Sequence, residues 1–288
     1  MDLNDIKTIG ILGGGTMGSG IGVSCIMAGY KVILYDISDE ILGIAGHSVI
    51  KNINKAVEKG KLEADRKNDV LDNIDFTKEF ADLAKSDFII EAVPEKMDLK
   101  KELFKKLDSV CDPNIILATN TSSLSVTTIS TAVENNRERV VGMHFFNPAN
   151  IMKLVEVIRG DFTSDEAVDI TMELSKKIGK VPVIVKDTPA FIVNRIARPF
   201  YGEALRMLAE GTSDVEKIDK VLKTCGGFAM GPFQLMDLIG IDVNFSVTKS
   251  VFEAYFNDPK YRPSYIQRKM VDANLLGRKT KRGFYKYD

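Results

Sequence analysis

The sequence is poor in the residues that build metal centres and covalent cross-links. It has three cysteines, Cys25, Cys111 and Cys225, far apart and with no CxxC pair. That excludes a zinc ribbon, a thioredoxin-type motif and a disulfide-stapled miniprotein, and so sparse and odd a set suits a reducing compartment. Only two histidines occur, His47 and His144, which leaves little material for a histidine-based metal site, and no bound metal is expected. Charge of one sign is not in excess: 39 Lys and Arg face 40 Asp and Glu. This balance argues against a nucleic-acid partner held by bulk positive charge, but leaves room for a local basic patch aimed at one phosphorylated ligand. A clean membrane span is missing too. Residues 8–30 carry no charge and are long enough to cross a bilayer, but eight of the 23 are glycine. The segment before them holds Asp2 and Asp5 rather than the basic start of a signal peptide. The reading is a soluble, cytoplasmic protein with no membrane partner.

What is present is an ordinary globular composition, 44% apolar and 27% charged over 288 residues, enough for one or two domains. In the first part, short apolar runs alternate with helical stretches. Residues 7–12, 31–36, 88–93, 115–119, 139–146, 154–158 and 181–185 read as strands. Helices are expected from the glycine-rich segment to Gly29, over 38–59, over 97–110, and from a Thr163-x-x-Glu166 capping box to Gly179. Such βαβ alternation predicts an α/β fold with a doubly wound, mostly parallel sheet. From about Pro189 only helical periodicity remains, over 192–210, 215–224, 242–256 and 263–273. The expected division is a nucleotide-binding domain over 1–187 and an all-α domain over 188–288.

Gly13-x-Gly15-x-x-Gly18, with Thr16 and Met17 inside it, follows the first strand and opens a helix. In that context the first glycine permits a tight turn, the second lets a pyrophosphate approach the backbone, and the third packs helix on strand. The helix N-terminus then offers its amides to the anion. Asp36 ends the second strand, where a carboxylate accepts both adenosine-ribose hydroxyls and repels a 2′-phosphate; neither Tyr35 nor Ile37 offers an arginine for that phosphate. NAD is favoured over NADP, and the fold is Rossmann-type. The bland alternative is a turn that packs a helix on a sheet, with Asp36 as a helix cap.

A nicotinamide dehydrogenase needs a group to move a proton, and histidine has the right unperturbed pKa. His144 stands at a strand end, where ligands bind in this fold. Glu156 lies inside the next apolar strand, where a carboxylate is costly unless paired, and His144 is the economical partner. From spacing alone, a core histidine beside an edge-strand acid is an equal reading. His47, in a polar helix, reads as a surface residue.

The stretches GILGGGTMGSGI, EAVPE, TNTSSLS, GMHFFNPA, MKLVEVIRG, FIVNRI, AEG, MGPFQLMDLIGID and LGRKTKRGFYKY resemble the 3-hydroxyacyl-CoA dehydrogenase family, including its short-chain 3-hydroxybutyryl-CoA members, from about residue 9 to the C-terminus. The resemblance implies that His144 is the general base and Glu156 its partner, and that Ser123 and Asn194 contact the reacting oxygen. It implies that Glu95, Lys100, Asn120, Asn147 and Lys279 belong to the NAD and reaction site. Ser123 follows a strand end, and Asn194 would complete the site from the helical domain. Lys51, Lys55 and Lys59, spaced by four, share one helix face. Beside the resemblance, that stripe reads as the site for the CoA phosphates, with Asn52 on the adjoining turn, rather than as a solvated face.

The implied reaction is NAD-dependent interconversion of an (S)-3-hydroxyacyl-CoA and a 3-ketoacyl-CoA, with 3-hydroxybutyryl-CoA as substrate and 3-hydroxyadipyl-CoA as the alternative. The resemblance also implies a homodimer through the helical domain, with 228–241 and 251–256 as candidate surfaces. A dehydrogenase of a free hydroxy acid, or an idle NAD-binding sensor, would use the same scaffold. One departure stands out: Ala190 occupies the usual glycine position before FIVNR. Either the backbone there keeps φ negative, or the approach of Asn194 is altered.

Overall fold

The computed structural model describes residues 2–288. They divide into two units, the first ending at Thr188 and the second comprising Pro189–Asp288. The first is built on eight strands: β1 (Thr8–Leu12), β2 (Lys31–Tyr35), β3 (Ile74–Thr77), β4 (Phe88–Glu91), β5 (Ile116–Thr119), β6 (Val140–Phe145), β7 (Leu154–Arg159) and β8 (Val181–Lys186). They lie in the order β3-β2-β1-β4-β5-β6-β7-β8. Every pairing is parallel except β6 with β7. The helices are α1 (Thr16–Met27), α2 (Asp39–Glu58), α3 (Lys67–Leu71), α4 (Met97–Val110), α5 (Val126–Ser130) and α6 (Asp165–Lys177).

The central strands read as continuous apolar runs because helices cover both faces of a parallel sheet. Ile9, Ile11, Leu34, Phe88 and Ile90 are wholly or almost wholly buried, and burial of each such side chain contributes about 1.5–3 kcal/mol. Chain direction reverses its crossover between β1 and β4, so the loops after these two strands diverge and leave a crevice at the carboxyl edge.

The sheet unit differs in places from the sequence reading, which also lacks the short α3 and α5. The cap of α6 is Ser164, whose hydroxyl accepts from the Ala167 amide. Thr163 turns inward instead, and its hydroxyl donates to the Val140 carbonyl. β3 was not anticipated, because four residues carry too little alternation to stand out.

The second unit contains α7 (Val193–Ala209), α8 (Val215–Thr224), α9 (Pro232–Ile239), α10 (Ile241–Ala254) and α11 (Tyr265–Asp272). Its core gathers Tyr201, Leu205, Ile218, Phe233, Met236 and Ile241. Arg198 is buried here, donating to the Asn244 carbonyl and the Thr248 hydroxyl; burial pulls its pKa down to about 10. Two buried aspartates tie the C-terminal segment to this core. Asp219 accepts from the amides of Phe233 and Gln234 and from the Tyr285 hydroxyl. Asp237 accepts from the amides of Phe284 and Tyr285 and from the Tyr287 hydroxyl.

Ala190 and Phe191 both hold left-handed backbone, with φ of 68° and 53°. The chain keeps the glycine conformation without the glycine, so a negative φ at Ala190 is ruled out. No described helix is long and apolar enough to cross a membrane.

Candidate active site

The parallel strands deliver their loops to one edge. Gly13 has φ of 111°, and a Cβ there would lie 2.8 Å from the Ala92 carbonyl oxygen, so the turn after β1 sits tight against the end of β4. A Cβ on Gly18 would overlap the Gly13 carbonyl, which makes this the glycine that lets α1 close on the loop. At Gly15 the reverse holds: a Cβ would meet nothing within 4 Å. Gly15 is also the N-cap of α1, and no side chain caps that helix. The open backbone and uncapped dipole fit a pyrophosphate, and Thr16 and Met17 form the first turn beneath it. Asp36 stands at the end of β2, with one carboxylate oxygen accepting from the Gly14 amide at 2.8 Å and the other from the Ser38 amide at 3.1 Å. It therefore braces the glycine loop, and its half-buried carboxylate stands where an adenosine ribose fits.

At the next strand ends, Glu95 accepts four hydrogen bonds through a single oxygen, Oε1. The donors are the Thr121 hydroxyl (2.8 Å), the Ser122 amide (2.8 Å), and the Ser123 amide and hydroxyl (3.0 and 3.2 Å). Asn120 joins β5 to β6 by accepting from the Phe145 amide. Lys100 is fully buried, its ammonium 2.6 Å from Glu91 and 3.5 Å from Glu95. It stands behind Glu95 rather than at the surface where the nicotinamide half was expected.

His144 is the penultimate residue of β6 and lies directly opposite Glu156 of β7 in the antiparallel register. Its Nδ1 is 2.7 Å from Glu156 Oε2. Glu156 is completely buried, whereas the His144 side chain retains 5% exposure. With Nδ1–H donating to the carboxylate, Nε2 carries the basic lone pair. Phe146 lies against the imidazole, the ring centroids 4.5 Å apart, and Asn147 follows in the exposed loop. Asn194, in the first turn of α7, and Lys279, ion-paired to Asp242 at 2.6 Å, belong to the helical unit.

A separate cleft of about 270 Å³ opens beside α2. Lys55, Lys59 and Asn52 line it; Lys51, one turn earlier, does not. Sequence reading missed Lys61, Lys153 and Lys180, which line it as well. Lys180 is buried, its ammonium donating to the carbonyls of Ala149 and Met152, and burial lowers its pKa. Asn150 donates to Asn52 across the cleft. No spacing rule links residues from three separate segments, although the basic character of each was visible.

A glycine loop under an uncapped helix, an acid at the end of β2 and a histidine–carboxylate pair on the same sheet edge define an NAD-linked dehydrogenase; NAD is the cofactor these residues fit. More narrowly, the chain belongs to the 3-hydroxyacyl-CoA dehydrogenase family. The family's NAD binding domain matches residues 8–188 and its C-terminal domain residues 191–287. The chain is 44% identical over 281 residues to the 3-hydroxyadipyl-CoA dehydrogenase of Escherichia coli K12, covering 98% of this chain but 59% of that protein's length. It is 44% identical to the 3-hydroxybutyryl-CoA dehydrogenase of Clostridioides difficile, with 97% and 99% covered. The crystal structure of (S)-3-hydroxybutyryl-CoA dehydrogenase from Ralstonia eutropha matches with a TM-score of 0.93 at 41% identity, over 98% of this chain and 99% of that one.

Proposed function

We propose that the protein interconverts (S)-3-hydroxyacyl-CoA and 3-ketoacyl-CoA with NAD, its substrate being 3-hydroxybutyryl-CoA. The observation that carries this reading is the buried His144–Glu156 pair at the sheet edge that also bears the glycine loop. In the oxidative direction His144 Nε2 takes the proton of the substrate hydroxyl. NAD, when bound, would supply the hydride acceptor that this chain lacks. Glu156 offsets the charge that forms on the imidazole and fixes its tautomer. When substrate binds, the Ser123 hydroxyl turns its proton from Glu95 to the substrate oxygen, whose charge changes during reaction, and Asn194 is assigned to the same oxygen on the family pattern. In reverse, His144 returns the proton.

The glycine loop with Thr16 and Met17, together with Asp36, holds the dinucleotide; Glu95, Asn120 and Asn147 face its reacting end, and Lys279 is assigned to it on the family pattern. The lysine-lined cleft takes the CoA phosphates, where Lys55 and Lys59 with Lys61 and Lys153 supply counter-charge around Asn52. The alternative acyl chain is 3-hydroxyadipyl, as the name of the E. coli relative suggests. A homodimer through the helical unit is supported by the exposed Phe228, Leu238, Ile239 and Phe256 within the expected segments. Three free thiols, two of them buried, suit the cytoplasm.

The test follows NADH absorbance with acetoacetyl-CoA, 3-ketoadipyl-CoA and free acetoacetate. Turnover of a thioester but not of the free acid supports the reading, and the ratio of the two thioesters assigns the acyl chain. Silence with both thioesters, in a protein that binds NADH, overturns it.

A further inference from the structure

Glu91 has no role in the site so far, yet it is one of the few fully buried carboxylates in the sheet. It is the last residue of β4, and three donors close on its side chain. Oε1 accepts from Lys100 Nζ at 2.6 Å and from the Val93 amide at 2.7 Å, and Oε2 accepts from the Thr119 hydroxyl at 2.6 Å. A buried ion pair of this kind is weak evidence for stability, because desolvation of two charges offsets most of their attraction. Its arrangement matters more than its energy. Lys100 touches two carboxylates, near to Glu91 and farther from Glu95. Glu95 reaches it through Oε2, while Oε1 gathers the four donors of Thr121–Ser123.

We infer that Glu91 is a positioning residue: it takes up the Lys100 charge, and thereby leaves Glu95 to hold Ser123 and its loop. With Glu91 made neutral, the buried ammonium has one anion left. Glu95 must turn toward it, and a carboxylate that swings to Lys100 cannot keep Oε1 on the Ser122 and Ser123 amides. The loop then loses its common acceptor, and Ser123 Oγ loses its fixed position. The catalytic part of this inference rests on the role proposed above for Ser123; the structural part does not.

The experiment uses the full chain with NADH and acetoacetyl-CoA, and reads amide hydrogen exchange over residues 119–125 beside the kinetics. Glu91→Gln is expected to speed exchange at Ser122 and Ser123 and to lower kcat about 10- to 100-fold, the size of a small misplacement of a reacting group, with the KM for the thioester little changed. Glu91→Gln combined with Lys100→Met removes both charges, and is expected to restore slow exchange at Ser122 and Ser123. A merely structural role moves neither the kcat-against-KM split nor the recovery. Unchanged exchange in Glu91→Gln, or no recovery in the double variant, overturns the inference. If Glu91→Gln does not fold, Glu91→Asp, which keeps the charge but draws it back from Lys100 by one methylene, is read in the same way: faster exchange at Ser123 supports the inference and unchanged exchange overturns it. Exchange that responds while Ser123→Ala leaves kcat intact rejects the role proposed for Ser123 and leaves the Glu91 linkage standing.

Discussion

His144 and Glu156 face each other across the one antiparallel pairing in the sheet, Nδ1 to Oε2 at 2.7 Å. The reversal at β7 is what brings an acid from mid-strand to the level of a histidine at a strand end. A parallel β7 would have carried Glu156 away from that edge. The pair sets one tautomer, and Glu156→Gln is expected to lose it. Turnover should fall about 10²–10⁴-fold in His144→Ala, and substantially in Glu156→Gln, with NADH binding retained in both. Fluorescence titration of NADH beside steady-state kinetics checks this; near-normal turnover in His144→Ala removes that residue from the chemistry.

Asp36 holds the Gly14 amide as well as standing at the ribose position. Asp36→Ala is therefore expected to do two things: narrow the preference for NAD over NADP, and raise the KM for NAD by loosening the glycine loop. kcat at saturating NAD should change little. Kinetics with both dinucleotides tests this, and an unaltered preference would locate the discrimination elsewhere.

The cleft beside α2 separates the lysine stripe into members that line it and one that does not. Lys55→Ala with Lys59→Ala is expected to raise the KM for acetoacetyl-CoA about tenfold, within the range for two exposed charge contacts, and to leave a thioester lacking the nucleotide unaffected. The effect should shrink as ionic strength rises. Lys51→Ala is expected to have a small effect. Equal losses with both thioesters would mean that these lysines support the fold or the cofactor instead.

Ala190 is 1% exposed and packs with Val251 and Tyr261, so its methyl contributes while its backbone is strained. Release of a left-handed alanine is worth about 1–2 kcal/mol, and loss of a buried methyl plus the greater freedom of unfolded glycine costs about the same. Ala190→Gly is therefore expected to be nearly neutral in denaturant unfolding. A buried alanine with ordinary backbone would lose about 1.5 kcal/mol on the same change. A loss of that size here would contradict the left-handed geometry.

Asp108 supplies the acid-sensitive element of the sheet unit. Burial pushes its carboxyl pKa up, but the Asn135 and Glu134 amides and the Arg139 guanidinium outweigh this, and hold it below the usual carboxylate range. Since the native pKa is the lower one, the contribution is complete above the unfolded value, about 3.9, and is lost as pH falls toward the native one. Asp108→Asn is expected to cost about 3–5 kcal/mol at neutral pH, because it leaves Arg139 buried without its anion. It should also flatten stability below about pH 4. Urea unfolding across pH 3–7 measures both, and an unchanged acid limb would assign that sensitivity to other carboxylates.

The sheet was legible where strands were apolar and bounded by glycine or by charge, as at β1, β2 and β4. It was not legible at β3, which pairs only with β2 and carries a mixed four-residue sequence. α9 went unread because its burial pattern is set by Asp219 and by the C-terminal segment, both remote in sequence. In the site, Glu91 is, like Glu156, an acid on an apolar strand that needs a partner. Glu91 escaped because it sits beside EAVPE's other acid, Glu95, which drew the functional reading. Lys100 misled for the opposite reason: sequence gives its charge and its helix, but not that the helix face turns it inward.

Asp219 and Asp237 set an order of events during synthesis. Both stand in helices made well before the C-terminal segment, and both take their last partners from Phe284, Tyr285 and Tyr287. Until those residues leave the ribosome, two carboxylates destined for the interior have only water and a helix end to satisfy them. The sheet unit faces no such delay: its last strand ends at Lys186. Every strand of the nucleotide-binding unit is thus made before the helical unit, whose two buried aspartates wait for residues 284–287. That interval is when the apolar surfaces of the second unit are most open to chaperones, and to one another on neighbouring ribosomes.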